Sequence, residues 1–212
     1  LGDATVTIEV GSTYTDAGAT ATDLSGEISV ISTGTVDTSV VGTYTVTYNA
    51  TDASGNEAAA VNRTVNVVDT TVPVIIPTGD TTVTIEVGST YTDAGATASD
   101  NYDGDLTSSI VEVSTVDATT VGAYTVTYNI TDANGNAAEE VTRTVNVVDT
   151  TVPVITLLGD ATVTIEVGST YTDAGADAID TYDGDITSSI VTVNPVDTDV
   201  VGVYTVTYNV TD

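Results

Sequence analysis

Apolar and polar residues alternate along most of this chain with a period of two. Val6, Ile8 and Val10 share one parity, and Thr5, Thr7 and Glu9 share the other. Ala17, Ala19 and Ala21 alternate with Gly18, Thr20 and Thr22, and Tyr44, Val46 and Tyr48 alternate with Thr43, Thr45 and Thr47. Successive side chains of a strand point to opposite faces, so each run predicts a half-buried β-strand. Turn signals such as ASGN at 53–56 and ANGN at 133–136 separate the runs. No segment carries helical spacing of useful length. About seven short strands between turn signals predict an all-β fold, an antiparallel β-sandwich.

The pattern is written three times. GDATVTIEVGSTYTDAGA begins at Gly2, GDTTVTIEVGSTYTDAGA at Gly79 and GDATVTIEVGSTYTDAGA at Gly159. VVDTTVPVI recurs at 67–75 and 147–155. Pro73 and Pro153 cannot donate to a ladder and suit a strand start or a linker. These joints predict tandem domains at residues 1–71, 72–151 and 152–212. The first is expected to have an incomplete opening strand and the third to stop before its last strand, so the chain reads as a slice of a longer array. Copy one is three residues shorter, all between Asp23 and Val36, and there it has DLSGEI where the others have DNYDGDL and DTYDGDI.

Charge changes the picture next. There are 31 acidic residues and two basic ones, Arg63 and Arg143, for a net charge of −29. Such acidity often accompanies disorder, but 41% hydrophobic residues, mostly Val, Ile, Ala and Tyr set among Thr, is strand composition. The negative surface excludes nucleic acid and anionic lipid as partners and attracts cations. No apolar run approaches the ~18 residues of a membrane span, so no membrane insertion is expected. There is no Cys for disulfides, and no His, Cys or Lys for a triad or Schiff base. A carboxylate pair for glycoside hydrolysis would need a cleft that so small a sandwich scarcely offers, and no enzyme is expected.

DTSVVGTYTV at 37–46 resembles the segment entering strand F of immunoglobulin domains, with Gly42 as the small residue, Tyr44 as the corner tyrosine and Val46 at the core cysteine position. Tyr44 is expected to bury its ring and hydrogen-bond backbone at that corner. The order EVGSTYTDAGATASDNYDGDLTSSI, VGAYTVTYNITDANGNAAEEVTRTVNV, DTTVPVI resembles bacterial immunoglobulin-like repeats of the hyalin-repeat-related type over essentially the whole chain. The resemblance implies tandem immunoglobulin-like sandwiches of the kind found in large secreted and cell-surface proteins, including adhesins, and an extracellular or cell-surface location.

In such a sandwich the B–C and F–G loops and the incoming chain lie at one pole. Asp69 from the linker, Asp100, Asp103 and Asp105 from the B–C loop, and Asp132 with Asn136 from the F–G loop are then expected to converge between the first two repeats. Asp149, Asp180, Asp183, Asp185 and Asp212 are the corresponding set between the second and third. Hard oxygen donors without His or Cys favour Ca²⁺ over zinc or copper, and calcium accepts six to eight oxygens in flexible geometry. The other reading is a solvated acidic turn, since Asp and Asn also favour turns through their own backbone bonds. The first repeat, with Asp23 and Glu27 only, is the weakest candidate.

Arg63 and Arg143 fall on the apolar parity of the last strand. They are expected at a sheet edge or bulge, each paired with a nearby carboxylate. Tyr102 and Tyr182, beside the acidic loop, depart from core parity. The leading expectation is a calcium-stiffened structural segment of an extracellular stalk or filament, with neighbouring repeats, or identical chains in a fibre, as partners. The alternative is an adhesin recognition module binding a surface glycan or protein ligand.

Overall fold

The structure, a computed structural model, describes residues 1–212. It is built almost wholly of strands. The first repeat contains β1 (Thr5–Glu9), β2 (Ala21–Asp23), β3 (Gly26–Ile28), β4 (Val30–Thr33), β5 (Gly42–Ala50) and β6 (Val61–Val68). The second contains β7 (Val74–Pro77), β8 (Thr82–Glu86), β9 (Ala96–Asp100), β10 (Gly104–Asp105), β11 (Val111–Ser114), β12 (Gly122–Asn129) and β13 (Val141–Val148). The third contains β14 (Val154–Leu157), β15 (Ala176–Asp180), β16 (Gly184–Asp185), β17 (Val191–Val193) and β18 (Thr207–Asn209). Single 3₁₀ turns at Thr107–Ser109 and Thr187–Ser189 are the only helical segments. The residues form two compact units: Leu1–Asp80, Ala94–Val113 and Thr127–Thr142 in one, and Thr81–Asp93, Ser114–Val126 and Arg143–Asp212 in the other.

In the first unit a four-stranded sheet runs in the order β1-β6-β5-β4. β6 pairs antiparallel with β5, from Gly42 opposite Val67 to Tyr48 opposite Val61, and parallel with β1, from Thr5 opposite Thr64 to Glu9 opposite Val68. The period-two pattern sets which side is dry. Val46, Tyr48 and Ala50 on β5 and Val65 and Val67 on β6 are buried, with Thr and Asn between them. A separate three-stranded sheet of the second repeat, β10-β9-β7, also lies in this unit, and in it Ile75 meets Ala98 in register with both buried. The alternating run at 17–22 is mostly irregular backbone, and β2 begins only at Ala21. In the second unit β13 pairs parallel with β8, and β15 lies between β14 and β16 with Ala176 and Ala178 buried.

Tyr44 is half-buried, and its hydroxyl donates to the Val40 carbonyl at 2.9 Å. Tyr124 does the same to Thr120, and Tyr204 to Val200. The corner expected from the sequence is thus built in each repeat.

The two arginines pair with carboxylates, but not at an edge. β6 is an interior strand because β1 covers its other side, and Arg63 is 5% exposed. Its guanidinium meets the Asp16 carboxylate, its Nε donates to the Asp3 carbonyl at 2.9 Å, and it lies 5.4 Å from the Tyr48 ring centre. The Tyr48 hydroxyl donates to Asp16 at 2.6 Å and that of Tyr14 at 3.1 Å. Arg143, 1% exposed, pairs with Asp93, which also accepts from Tyr91. In the third repeat Tyr208 and Tyr171 donate to Asp173. One carboxylate in each repeat thus accepts from one or two phenols, and in two repeats it also pairs with a guanidinium. Removing one member of a buried pair leaves the other desolvated, so Asp93→Asn should lower stability to urea by about 3 kcal/mol or more. A loss under about 1 kcal/mol would show that the pair does not anchor the fold.

The phenols record the same environment. Burial, then the Asp16 hydrogen bond, pushes Tyr48 up to about 12. The Asp173 hydrogen bond, then burial, pushes Tyr208 up to about 12. A free tyrosine ionises near ~10. The stabilisation is therefore intact below pH ~10 and is lost as pH rises from there through each raised folded value. Ultraviolet titration should show Tyr48 and Tyr208 ionising last, with Tyr48→Phe deleting part of that late class. Ionisation of all tyrosines near pH 10 in the folded protein would contradict this.

Candidate metal centre

The DANGN segment after β12 folds on its own aspartate. Asp132 Oδ1 accepts the backbone N–H groups of Asn134 (2.9 Å) and Asn136 (2.7 Å), and Oδ2 accepts Asn136 Nδ2 at 2.7 Å. Asp52 organises the matching turn of the first repeat through Ser54 and Asn56. This is the local logic that makes Asp and Asn turn residues. The β9–β10 turn is built likewise: Asp100 Oδ1 accepts the N–H of Tyr102 at 2.8 Å and of Asp103 at 3.1 Å. Gly104 completes it at φ 75°, a left-handed conformation that glycine adopts without steric penalty.

Three segments of the first unit then meet. Asp69, the first residue after β6, accepts Asn134 Nδ2 on Oδ2 at 2.9 Å, and its carbonyl accepts Asn136 Nδ2 at 3.2 Å. Asp103 Oδ2 accepts the N–H of Ala133 at 2.8 Å. One carboxylate oxygen from each of Asp69, Asp100, Asp103 and Asp132 lies within 4.8 Å of all the others. Asp69, Asp100 and Asp132 are buried. Asp100 Oδ2 is buried with no hydrogen-bond donor.

The electrostatics follow from that crowding. Burial is the main influence raising the Asp69 carboxyl above its usual range, and the charges of Asp100 and Asp132 add to it, against hydrogen bonds from Asn134 and Thr71. At Asp132 burial also pushes upward, but hydrogen bonds from Asn136, Asn134 and Gly135 outweigh it and the net shift is downward. The chain's two cations are engaged elsewhere, with Asp16 and Asp93. A buried carboxylate oxygen without donor or counter-charge is costly. An all-oxygen donor set of this size fits a hard cation, calcium in particular.

In the second unit Asp149, Asp180 and Asp183 bring ligand oxygens within 4.8 Å of one another. Asp180 is 3% exposed, Asp149 is half-buried and Asp183 is exposed. Here Asp180 Oδ2 has a donor, the Thr151 hydroxyl at 3.3 Å, which also donates to Asp149 at 2.7 Å. Three expected residues are not drawn in. Asp105 and Asp185 instead accept the N–H of Thr107 and Thr187 at the start of the 3₁₀ turns, and Asp212 lies exposed outside the group. Asn136 borders the first cluster, but its amide N–H groups point at Asp69 and Asp132. In the first repeat Asp23 is occupied by Ser25, and no cluster forms there.

One functional contact was not expected from the sequence. Glu9, at the end of β1, accepts the N–H and hydroxyl of Thr70 at 2.9 and 2.7 Å and the hydroxyl of Thr71 at 3.0 Å. Glu86 holds Thr150 in the same way. Recurrence of IEVG in each repeat was the available signal, but the parallel β1–β6 pairing that brings Glu9 to the linker is not written locally. The Thr70 hydrogen bonds hold the Glu9 carboxyl below its usual value. Its contribution is therefore present above the ordinary glutamate value of ~4.3 and is lost as pH falls through the lower folded value. The Thr70 amide resonance should titrate with a midpoint below ~4.3 and stop titrating in Glu9→Gln. A midpoint at or above that value would remove the clamp.

The family model described as bacterial surface protein, Ig-like domain, matches residues 1–67, 75–147 and 155–212. The chain is similar to hyalin of Strongylocentrotus purpuratus, 36% identical over 178 residues, covering 77% of this chain and 14% of hyalin. It is 38% identical over 137 residues to hyalin of Lytechinus variegatus, covering 61% of this chain and 25% of that protein. It is 33% identical over 192 residues to internalin I of Listeria monocytogenes, covering 84% of this chain and 10% of the internalin. The chain thus spans a quarter or less of the length of these relatives.

Proposed function

Since the chain belongs to the family of bacterial surface protein Ig-like domains, we propose that it is a structural segment of a cell-surface or secreted stalk whose joints are stiffened by calcium. Surface Ig-like repeats are generally non-enzymatic, and a load-bearing spacer needs no catalytic group. The observation that carries the reading is the buried, donor-free Oδ2 of Asp100 among the carboxylates of Asp69, Asp103 and Asp132. Asp69 belongs to the linker, Asp100 and Asp103 to the β9–β10 turn and Asp132 to the turn after β12. An ion held by all four would tie the linker to both loops of the following repeat. Calcium would supply the positive charge that the surrounding residues lack.

Each residue has a definable part. Asp100 uses Oδ1 to shape its turn and keeps Oδ2 for the ion. Asn134 and Asn136 hold the linker against the Asp132 turn before any ion binds. Extracellular calcium modules bind at about 10⁻⁴ to 10⁻³ M. At about ten times the dissociation constant, binding stabilises by about 1.4 kcal/mol per site, a useful increment for a small domain without disulfides. The Asp149, Asp180 and Asp183 group, with one fewer carboxylate and the Thr151 hydroxyl already on Asp180, is expected to bind more weakly.

Calorimetric titration with CaCl₂, paired with melting in calcium and in chelator, tests this. The protein should take up calcium, melt higher in its presence and respond much less to magnesium. Asp100→Asn preserves the Oδ1 acceptor of the turn, so it should abolish the tighter binding while leaving the chelator melt nearly unchanged. No heat of binding, together with identical melts in calcium and chelator, would sink the proposal.

A further inference from the structure

Tyr102 and Tyr182 break core parity, and the proposed ion has no use for their rings. Each is part-exposed, at 37% and 40%. Each nevertheless has a partner far away in sequence. The N–H of Val41 donates to the Tyr102 hydroxyl at 3.3 Å, and the N–H of Val121 donates to the Tyr182 hydroxyl at 3.3 Å. Each contact lies within one compact unit, Val41–Tyr102 in the first and Val121–Tyr182 in the second, and crosses from one repeat to the one before it.

The receiving group is the same in both cases. Val41 N–H belongs to the peptide whose carbonyl, on Val40, accepts the Tyr44 hydroxyl at 2.9 Å. Val121 N–H belongs to the peptide whose Thr120 carbonyl accepts the Tyr124 hydroxyl at 2.9 Å. No peptide bond in the chain is cis. In a trans peptide the C=O and N–H point in opposite directions across one plane. The two phenols therefore grip one rigid group from opposite sides, the repeat's own tyrosine as donor and the next repeat's as acceptor. A hydrogen bond at one end polarises the peptide and strengthens the other. The raised Tyr44 phenol, due mainly to burial, then to Asp37 and to Tyr102, fits this proximity.

We infer that each tyrosine corner doubles as a docking point, receiving a tyrosine from the β9–β10-type loop of the following repeat and so tying consecutive repeats together without a metal. The side chain is aimed by the turn that carries it. Asp100 Oδ1 accepts the Tyr102 N–H at 2.8 Å, and Asp180 Oδ1 accepts that of Tyr182 at 2.7 Å. The loop sequence D-x-Y-D-G-D thus encodes a dock as well as a carboxylate group. DLSGEI has no tyrosine, and its Leu24 stands fully exposed. A repeat with that loop offers its predecessor no phenol. The partner surface is the corner of a preceding repeat, recognised through a backbone N–H, so any repeat with an intact corner can receive the tyrosine.

Residue-resolved amide exchange in chelator tests the dock apart from any ion. In the wild-type protein Val41 and Val121 should exchange more slowly than their exposed neighbours. Tyr102→Phe should speed exchange at Val41 by about twofold to fivefold, in line with a long, part-exposed neutral hydrogen bond, and leave Val121 unchanged. Tyr182→Phe should do the reverse. Motion of Thr70 and Thr71 on the nanosecond scale should rise in Tyr102→Phe without loss of the Val46 and Val65 core signals. Unchanged Val41 exchange in Tyr102→Phe, or equal changes at Val41 and Val121 in either variant, would overturn the dock. Neither result bears on whether calcium binds.

Discussion

Negative charge that the chain cannot neutralise from its own cations governs this structure. With 31 carboxylates and two guanidiniums, every aspartate drawn into the interior must find another kind of partner. Asp16 and Asp93 take the two arginines together with tyrosine hydroxyls. Asp173 takes tyrosine hydroxyls. Asp132 takes the N–H groups of its own turn. Asp100 satisfies one oxygen in this way and leaves the other bare. The ladder runs from fully matched charges inside the sandwich to one unmatched oxygen at the joint, and the proposed cation completes it.

The joint is preorganised by the same economy of partners. The linker at Asp69–Thr71 is held from its own repeat by Glu9 and from the following repeat by Asn134 and Asn136. A binding site whose ligands are already positioned loses less ordering entropy on binding. The short DTTVP linker, with no Gly/Ser run, fits a stiff connection. The tyrosine dock adds a contact to a different part of the preceding repeat, so the linker is not the sole tie across the joint.

Small differences between copies change the chemistry. Asp180 and Asp100 shape identical turns, yet the Thr151 hydroxyl reaches Asp180 Oδ2 while Asp100 Oδ2 has no donor. The shorter loop of the first repeat loses the tyrosine and two aspartates together, so metal group and dock vanish as one. Variation in a single loop can therefore set the character of a joint while the sandwich beneath it is unchanged.

Strand identity, core parity and the repeat were legible in the chain because they rest on nearest-neighbour alternation: Val46, Tyr48, Val65 and Val67 could be assigned inward without a structure. So were the corner tyrosines and the turn-forming role of Asp132 and Asp100, since their hydrogen bonds span only a few residues. The sequence also named Asp69, Asp100, Asp103 and Asp132 as candidates, but they lie on three segments separated by tens of residues, and only folding decides that these meet while Asp105 accepts the N–H of Thr107. Arg63 looked like an edge residue because parity carries no information about lateral neighbours. The parallel addition of β1 made its strand interior and, through Glu9, gave the linker a clamp. Local pattern determines which face a residue occupies, and long-range pairing alone determines what waits on that face.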